Sequence, residues 1–140
     1  MEKHEIISFI NANPACYLAT VEGDKPHVRG MLIYRADKDG IIFHTGKVKD
    51  LHKQLMVNPK VELCFNNHQT NVQVRVSGVA ELQNDTRLIM EIVESRPFLK
   101  QITETDLCGC DLLAVYRVKK CMATVWTMET NLATKTHIKL

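Results

Sequence analysis

The chain has 140 residues, of which 45% are hydrophobic and 24% charged, and its formal net charge is +2. These values are typical of a single globular domain with its own core, and they exclude a disordered chain. The small net charge disfavours nucleic-acid binding, which needs a clustered basic stripe, and no apolar run is long enough to span a membrane. The first residues lack the layout of a signal peptide, so we expect a cytoplasmic protein.

The first third of the chain is predicted to form one helix and three strands. Isoleucines at positions 6, 7 and 10 fall on one helical face, and Asn13-Pro14 ends that helix. Turn residues at 22–26 and 37–40 separate the apolar runs that follow, which predicts hairpins. The expected elements are a helix over 3–12 and strands over 15–21, 27–36 and 41–45.

A second helix is predicted directly after the third strand. Its apolar positions, spaced at i, i+3 and i+7, are Val48, Leu51 and Leu55. Lys47, Lys49 and Lys53 fall in its first two turns, where lysines are unfavourable unless an anion offsets them. Together with the Thr45 hydroxyl and the free N–H groups of a helix start, they favour a phosphate-binding cradle. The alternative is that the lysines are only a solvated helix face.

The second half of the chain is predicted to contain four strands and one helix. Asn84-Asp85 is expected to cap this helix, which ends near Arg96-Pro97. The strands are expected over 60–65, 72–82, 111–118 and 121–128, the last two as a hairpin around Lys119-Lys120. Strands joined by short turns favour an antiparallel barrel over a parallel sheet.

The five cysteines are predicted to be reduced thiols without a metal. Cys16, Cys64 and Cys121 lie in apolar strand-like runs, where cysteine behaves as a small hydrophobe. Cys108 and Cys110 share a loop, but zinc sites need two-residue spacing and a second pair. The loop pair is therefore interpreted as having no role or as redox-sensitive.

Four segments in register resemble the FMN-binding split barrel of the pyridoxamine 5′-phosphate oxidase type. They span residues 27–34, 40–46, 58–65 and 73–78, and the chain is similar to the small, nitroimidazole-resistance-type members. The resemblance implies a mostly β fold with α, namely a six- or seven-stranded antiparallel split β-barrel with flanking helices over residues 1–140. It also implies an FMN cofactor and a homodimer whose flavin sites take residues from both chains.

The resemblance also assigns residues to the flavin. The positions that match FMN-contacting segments of the family are Arg29, Gly30, Met31, Leu32, His44, Thr45 and Gln73. Gly30 would let a planar ring approach the backbone closely. Asp50 and Leu51 occupy the places where the oxidase has basic phosphate-binding residues, so we expect a neighbouring lysine, first of all Lys49, to replace them.

The substrate end departs from the oxidase. Its substrate-phosphate site uses a lysine, a tyrosine and an arginine at the places of Tyr34, Glu91 and Ser95. Because these changes remove the cations, oxidation of vitamin B6 phosphates is not expected. The sequence favours an FMN-dependent oxidoreductase acting on an unidentified small molecule, with no catalytic side chain assigned. One alternative is a haem- or deazaflavin-binding protein on the same barrel, in which His44 or His137 would matter. The other is a nucleic-acid-binding or structural module.

Overall fold

The computed structural model describes residues 1–99 and 112–140, which form three helices and eight strands. The helices are α1 (Lys3–Ala12), α2 (Asp50–Val57) and α3 (Thr86–Ser95). The strands are β1 (Ala15–Glu22), β2 (Lys25–Leu32), β3 (Arg35–Asp37), β4 (Gly40–Gly46), β5 (Lys60–Asn67), β6 (Val72–Gln83), β7 (Leu113–Trp126) and β8 (Ile138–Lys139). None of the helices in these ranges is long and apolar enough to cross a membrane.

The strands form one antiparallel sheet in the order β2-β1-β5-β6-β7-β4-β3, with β8 added beside β7. Period-2 alternation builds its core: on β6, Val74 and Val76 are fully buried while Arg75 and Ser77 are exposed. One hydrophobic cluster joins α1 and α2 to this sheet, with Leu18 and Phe43 among its buried members. The mostly β antiparallel fold with flanking helices confirms the predicted fold class, with eight strands in the sheet where six or seven were expected.

The segment predicted as one strand over 27–36 is two strands at opposite edges of the sheet. The N–H of Ile33 donates to the carbonyl of Pro14 at 3.0 Å, whereas the N–H of Tyr34 donates to the carbonyl of Ile42 at 2.7 Å. Adjacent residues thus bond to different parts of the fold, β2 pairing with β1 and β3 with β4. The sequence shows no break here because Ile33 is buried and keeps the run apolar.

The hairpin predicted around Lys119-Lys120 is wrong. From Leu113 to Trp126 the chain is one long strand, and β6 pairs with it on both sides of the lysines. Lys120 has a φ of 55°, and the pairing register shifts between Ser77 and Val79. These are the marks of a β-bulge, which bends a strand without reversing it.

Helix α2 begins later than the sequence predicted. Lys49 is its N-cap residue and Asp50 its first residue, so Lys47 and Val48 precede the helix. Val48 is 73% exposed and not part of the core, whereas Leu51 and Leu55 are buried as expected. An acidic residue suits the positive end of the helix dipole, which explains a start at Asp50.

Helix α3 begins where the sequence predicted, because the Asp85 carboxylate accepts hydrogen bonds from the N–H groups of Arg87 and Leu88. Its buried residues Leu88 and Ile92 belong to a second, smaller hydrophobic cluster with residues of β4 and β7. This packing brings the end of α3, and with it Arg96, beside β4.

The cysteines that the structure describes are free thiols. Cys16 and Cys121 are buried, which raises their pKa values to about 12 and about 11, and Cys64 is half-buried. Thiols with such high pKa values are unreactive near neutral pH, as expected for small core residues. Cys108 and Cys110 lie outside the described residues.

Candidate functional site

An open groove of about 780 Å³ lies between β2, the end of β4 and the start of α2. It brings together five of the residues predicted to hold a flavin from three separate elements: Arg29, Gly30, Met31, Thr45 and Lys49. The side chains of Lys53 and Gln54, from α2, also line it. The predicted phosphate cradle is therefore a continuous surface formed by β2, β4 and α2.

Arg29 is held in this groove by neutral hydrogen-bond acceptors. Its Nη1 donates to Thr20 Oγ1 at 2.8 Å and to the carbonyl of Leu18 at 3.3 Å, and its Nη2 donates to Gln54 Oε1 at 2.5 Å. Burial lowers the pKa of Arg29, and the Asp50 carboxylate opposes this shift. Within residues 1–99 and 112–140 no carboxylate forms an ion pair with it. The result is a fixed positive charge beside the groove.

Two residues that orient Arg29 were missed by the sequence reasoning. Thr20 and Gln54 are 1% and 6% exposed, and Thr20 Oγ1 donates to Gln54 Oε1 at 2.6 Å. The sequence does contain a signal for Gln54: it follows Leu51 by three residues and so falls on the apolar face of α2. A polar residue at a core position needs a hydrogen-bond partner, and that partner marks the site.

The hydroxyl and the lysines of the cradle lie where β4 leads into α2. Thr45 is 6% exposed and does not cap α2, because the N-cap position is taken by Lys49. The side chains of Lys47, Lys49 and Lys53 are exposed, and in the part of the chain that the structure describes none of them forms an ion pair. Lysine side chains that have no carboxylate partner and lie at the start of a helix can bind a phosphate group.

Burial alternates along β2, which carries Arg29 and Gly30. Arg29 and Met31 are half-buried, while Val28, Gly30 and Leu32 are exposed. A Cβ atom built at Gly30 would meet no other atom within 4 Å, so nothing in the chain itself requires glycine there. A side chain at this position would instead project into the groove that Gly30 lines.

A second cavity of about 360 Å³ continues from the groove and contains His44. The two spaces share Gly30, Met31, Thr45 and Lys49 in their walls. His44 Nε2 lies 2.9 Å from Nη1 of Arg96, which also donates through Nη2 to the carbonyl of Ile33 at 2.9 Å. Burial, then the charges of Arg96 and Lys49, lower the pKa of His44 to about 4.

Arg96 is the third site residue that the sequence reasoning missed. It follows Ser95, the position that corresponds to an arginine in the oxidase, and is the C-cap of α3. Its guanidinium carbon lies 5.6 Å from the centre of the Tyr34 ring. Glu91 also belongs to this cluster, because its carboxylate accepts from the Tyr34 hydroxyl at 2.6 Å and from Arg35 at 3.1 Å.

We expect the protein to lose stability through His44 as the pH falls from about 6.5 to about 4. In this range the unfolded chain binds a proton at His44 and the folded chain does not, so acid favours unfolding. The shift corresponds to about 3 kcal/mol, reduced to about 2 kcal/mol by the partial exposure of the ring. Denaturant titrations at pH 7 and pH 4.5 should show a smaller loss for His44→Gln than for the wild type.

The control for this measurement is His68→Gln, in the exposed loop between β5 and β6. It should lose as much stability on acidification as the wild type. An equal loss in all three proteins would mean that His44 takes up its proton at the same pH in both states.

Gln73 lies away from the groove. Its Nε2 donates to Asn66 Oδ1 at 2.9 Å, and it pairs across the sheet with Trp126. Neither cavity described above includes it among its lining residues. Within one chain, Gln73 therefore does not join the other predicted flavin residues.

The fold recurs in known proteins, and a family profile matches the chain. The profile of the pyridoxamine 5′-phosphate oxidase family matches residues 3–120. A pyridoxine/pyridoxamine 5′-phosphate oxidase of Shewanella sediminis is 33% identical over 103 residues, 73% of this chain and 48% of the relative. One from Escherichia coli O1:K1 is 37% identical over 89 residues, 63% of this chain and 40% of the relative. The match spans less than half the length of each relative.

Solved structures agree with this assignment at the level of the fold. A NimC/NimA family protein from Clostridium acetobutylicum superposes with a TM-score of 0.78 at 23% identity, covering 98% of this chain and 92% of that one. A pyridoxamine 5′-phosphate oxidase-related, FMN-binding protein from Nostoc punctiforme gives 0.67 at 11% identity, covering 99% and 96%. Since the family profile matches most of its length, the chain belongs to the pyridoxamine 5′-phosphate oxidase family and has a flavin-binding fold.

Proposed function

We propose that this protein binds FMN and acts as a flavin-dependent oxidoreductase on a small molecule in the cytoplasm. The observation that carries the proposal is the Arg29 guanidinium, held at the groove by neutral acceptors and facing the same space as Thr45 and Lys49. A fixed cation, a hydroxyl and a flexible ammonium group are the partners that a terminal phosphate requires.

The residues of the groove fit the rest of FMN as well. Gly30 leaves an open strip of backbone on β2, with Met31 and Leu32 beside it as apolar contacts for a planar ring. FMN, when bound, supplies the electron-transfer chemistry. The chain's own contribution is to bind the phosphate, orient the ring against β2 and leave the adjoining cavity of about 360 Å³ for a substrate.

The direct test is a titration of apo-protein with FMN and with FAD. The groove offers one cluster of cations, and the sequence has no Gly-x-Gly-x-x-Gly loop to hold a pyrophosphate. We therefore expect FMN to bind at least about tenfold more tightly than FAD, measured by quenching of flavin fluorescence. The proposal would be refuted if FAD bound more tightly than FMN, or if neither flavin bound.

A second measurement distinguishes a phosphate-binding lysine from a solvated one. Lys49→Glu should weaken FMN binding by about one to two powers of ten, because a charge-assisted contact to phosphate contributes roughly 1.5–3 kcal/mol. Lys38→Glu is the matched control, since Lys38 is equally exposed but lies in the turn between β3 and β4, outside the groove. Equal, small effects of the two changes would assign Lys49 to the solvated helix face.

We further propose a homodimer in which two chains share each flavin site. An exposed apolar surface on β1 and β2 supports this: Tyr17, Val28 and Leu32 are 59%, 69% and 48% exposed. Tyr17 pairs with Gly30 across these strands, so this surface adjoins the groove. A second copy would cover the surface and bring Gln73, which is remote from the groove in its own chain, toward the flavin of its partner.

The proposed substrate is not a vitamin B6 phosphate. Glu91 is fixed by hydrogen bonds from Tyr34 and Arg35 at the place where the oxidase binds the substrate phosphate. A carboxylate held there repels a phosphate dianion. The haem alternative through His44 is also disfavoured, because its Nε2 faces the Arg96 guanidinium instead of being free to bind iron.

A further inference from the structure

The cavity beside the flavin groove combines an apolar wall with a cation, Arg96, at the end away from the groove, while Lys49 lies in the wall that the two spaces share. Six of its lining residues are hydrophobic and come from the end of β2, the segment after α3 and the start of β7: Met31, Leu32, Phe98, Leu99, Leu112 and Leu113. Arg96 and His44 are the polar side chains on the opposite side from the groove. An apolar pocket with a few convergent polar groups is the usual form of a small-molecule site.

We propose that this cavity binds the carboxylate of a flat, apolar substrate, with Arg96 as its charged partner. The proposal deepens the function above and rests on it in one respect, namely that the cavity is the substrate side of the flavin groove. In this proposal the residues that recognise the substrate are Arg96 and His44, and not the residues at the positions where the oxidase binds a substrate phosphate.

Among its contacts with the described residues, the guanidinium of Arg96 uses only some of its donors. It uses one N–H toward His44 and one toward the carbonyl of Ile33, out of five. Burial lowers the pKa of Arg96, so desolvation disfavours its charge. In residues 1–99 and 112–140 it has no ion pair, unlike Arg35 on the same Tyr34 ring. A carboxylate matches the remaining donors in geometry and in charge.

His44 supplies the second polar group in its neutral form. Arginine has no acceptor, so the 2.9 Å contact requires a lone pair on His44 Nε2. The imidazole proton then resides on Nδ1, which makes that atom a hydrogen-bond donor. A neutral ring leaves Arg96 as the cation of this pair and adds a donor without a second charge.

The charge of the surroundings favours a monoanion over a phosphate. Glu91 lies behind Tyr34, and Tyr34 lies against Arg96. Moving a dianion from water into this cavity costs much more than moving a monoanion, because the desolvation penalty rises with the square of the charge, whereas the attraction to Arg96 rises only in proportion to it. The apolar wall accounts for the rest of the ligand, because burial of a flat hydrocarbon there contributes in proportion to its area.

The test compares 2-naphthoate with 2-naphthamide, which has the same flat body and no charge. Calorimetric titrations use the FMN-loaded protein and the apo-protein. In the wild type we expect naphthoate to bind at least about tenfold more tightly than the amide, the value of one charge-assisted hydrogen-bonded contact. In Arg96→Met this ratio should fall to near one while affinity for the amide is kept.

Arg35→Met is the matched control, because Arg35 also stacks on Tyr34 but is paired with Glu91 and Asp37. It should keep the wild-type ratio. Arg96→Lys keeps the positive charge but loses the planar guanidinium, so it should give an intermediate naphthoate-to-naphthamide affinity ratio. This variant keeps the test decisive if Arg96→Met does not fold. A ratio near one in the wild type, or an unchanged ratio in both Arg96 variants, would overturn the proposal.

Flavin binding is measured separately on every variant. A carboxylate preference in apo-protein that binds no FMN would reject the flavin function and leave the Arg96 site intact. FMN binding without a carboxylate preference would reject the Arg96 site alone.

Discussion

Arg29→Met is expected to lower FMN affinity by about a hundredfold or more. The substitution keeps an apolar stem of similar length and removes a cation that is already positioned by Thr20 and Gln54, so that its binding to phosphate costs little ordering. A charge-assisted, bidentate contact contributes roughly 1.5–3 kcal/mol, and the lost preorganisation adds to that. The measurement is FMN fluorescence quenching on refolded apo-protein.

The control for this change is Arg75→Met. Arg75 also lies on a strand, but it is exposed and its guanidinium faces Glu62 at 3.8 Å, away from the groove. Its replacement should leave FMN affinity within about twofold of the wild type, because an exposed ion pair contributes at most about 1 kcal/mol to stability and nothing to the site. If Arg29→Met binds FMN as the control does, the phosphate lies elsewhere.

Thermal unfolding separates binding from folding in the Arg29 variant. Thr20 and Gln54 keep their mutual hydrogen bond when the guanidinium is gone, so we expect a modest loss of stability, about 1–2 kcal/mol. A collapse of the fold would instead indicate that Arg29 is chiefly a structural residue. Arg29→Lys then decides the matter, since it retains the charge and should recover part of the FMN affinity only if phosphate is the ligand.

Two variants that are each expected to bind FMN poorly, Arg29→Glu and Gln73→Glu, should recover binding when they are mixed and refolded together. In a dimer with shared sites, one site of each mixed dimer collects both lesions and the other collects neither. Random pairing makes half of the dimers mixed, so about a quarter of all sites should be intact. Fluorescence quenching at saturating FMN counts these sites directly.

The test is informative because Arg29 lines the groove of its own chain and Gln73 does not. Gln73 is hydrogen bonded to Asn66 on β5, and neither it nor Trp126 lines the groove. Mixing Arg29→Glu with Lys49→Glu is the control, since both residues line the same groove and a mixed dimer would carry one lesion in each site. A mixture that binds no better than its parts, or a monomer by sedimentation, would place the whole site in one chain.

Local sequence signals predicted most elements correctly where a turn or cap fixes them. Asp85 caps α3 as expected, and the turns before β2 and β4 lie where the sequence has glycine and charged residues. The two errors in the strands have a common cause. At Ile33 and at Lys120, the choice between continuing and breaking a strand is made by the hydrogen-bond partners, Pro14 and Ile42 in one case and β6 in the other.

The sequence by itself determined the fold class, the antiparallel pattern and the residues of the groove on β2 and β4. These follow from alternation, turn chemistry and the resemblance of contiguous segments, which are all local properties. The tertiary structure alone decided that Thr20 and Gln54 hold Arg29, and that Arg96 meets His44. Those pairs join residues distant in sequence, and only the packing of α2 on β1 and of α3 beside β4 brings their polar atoms within hydrogen-bond distance.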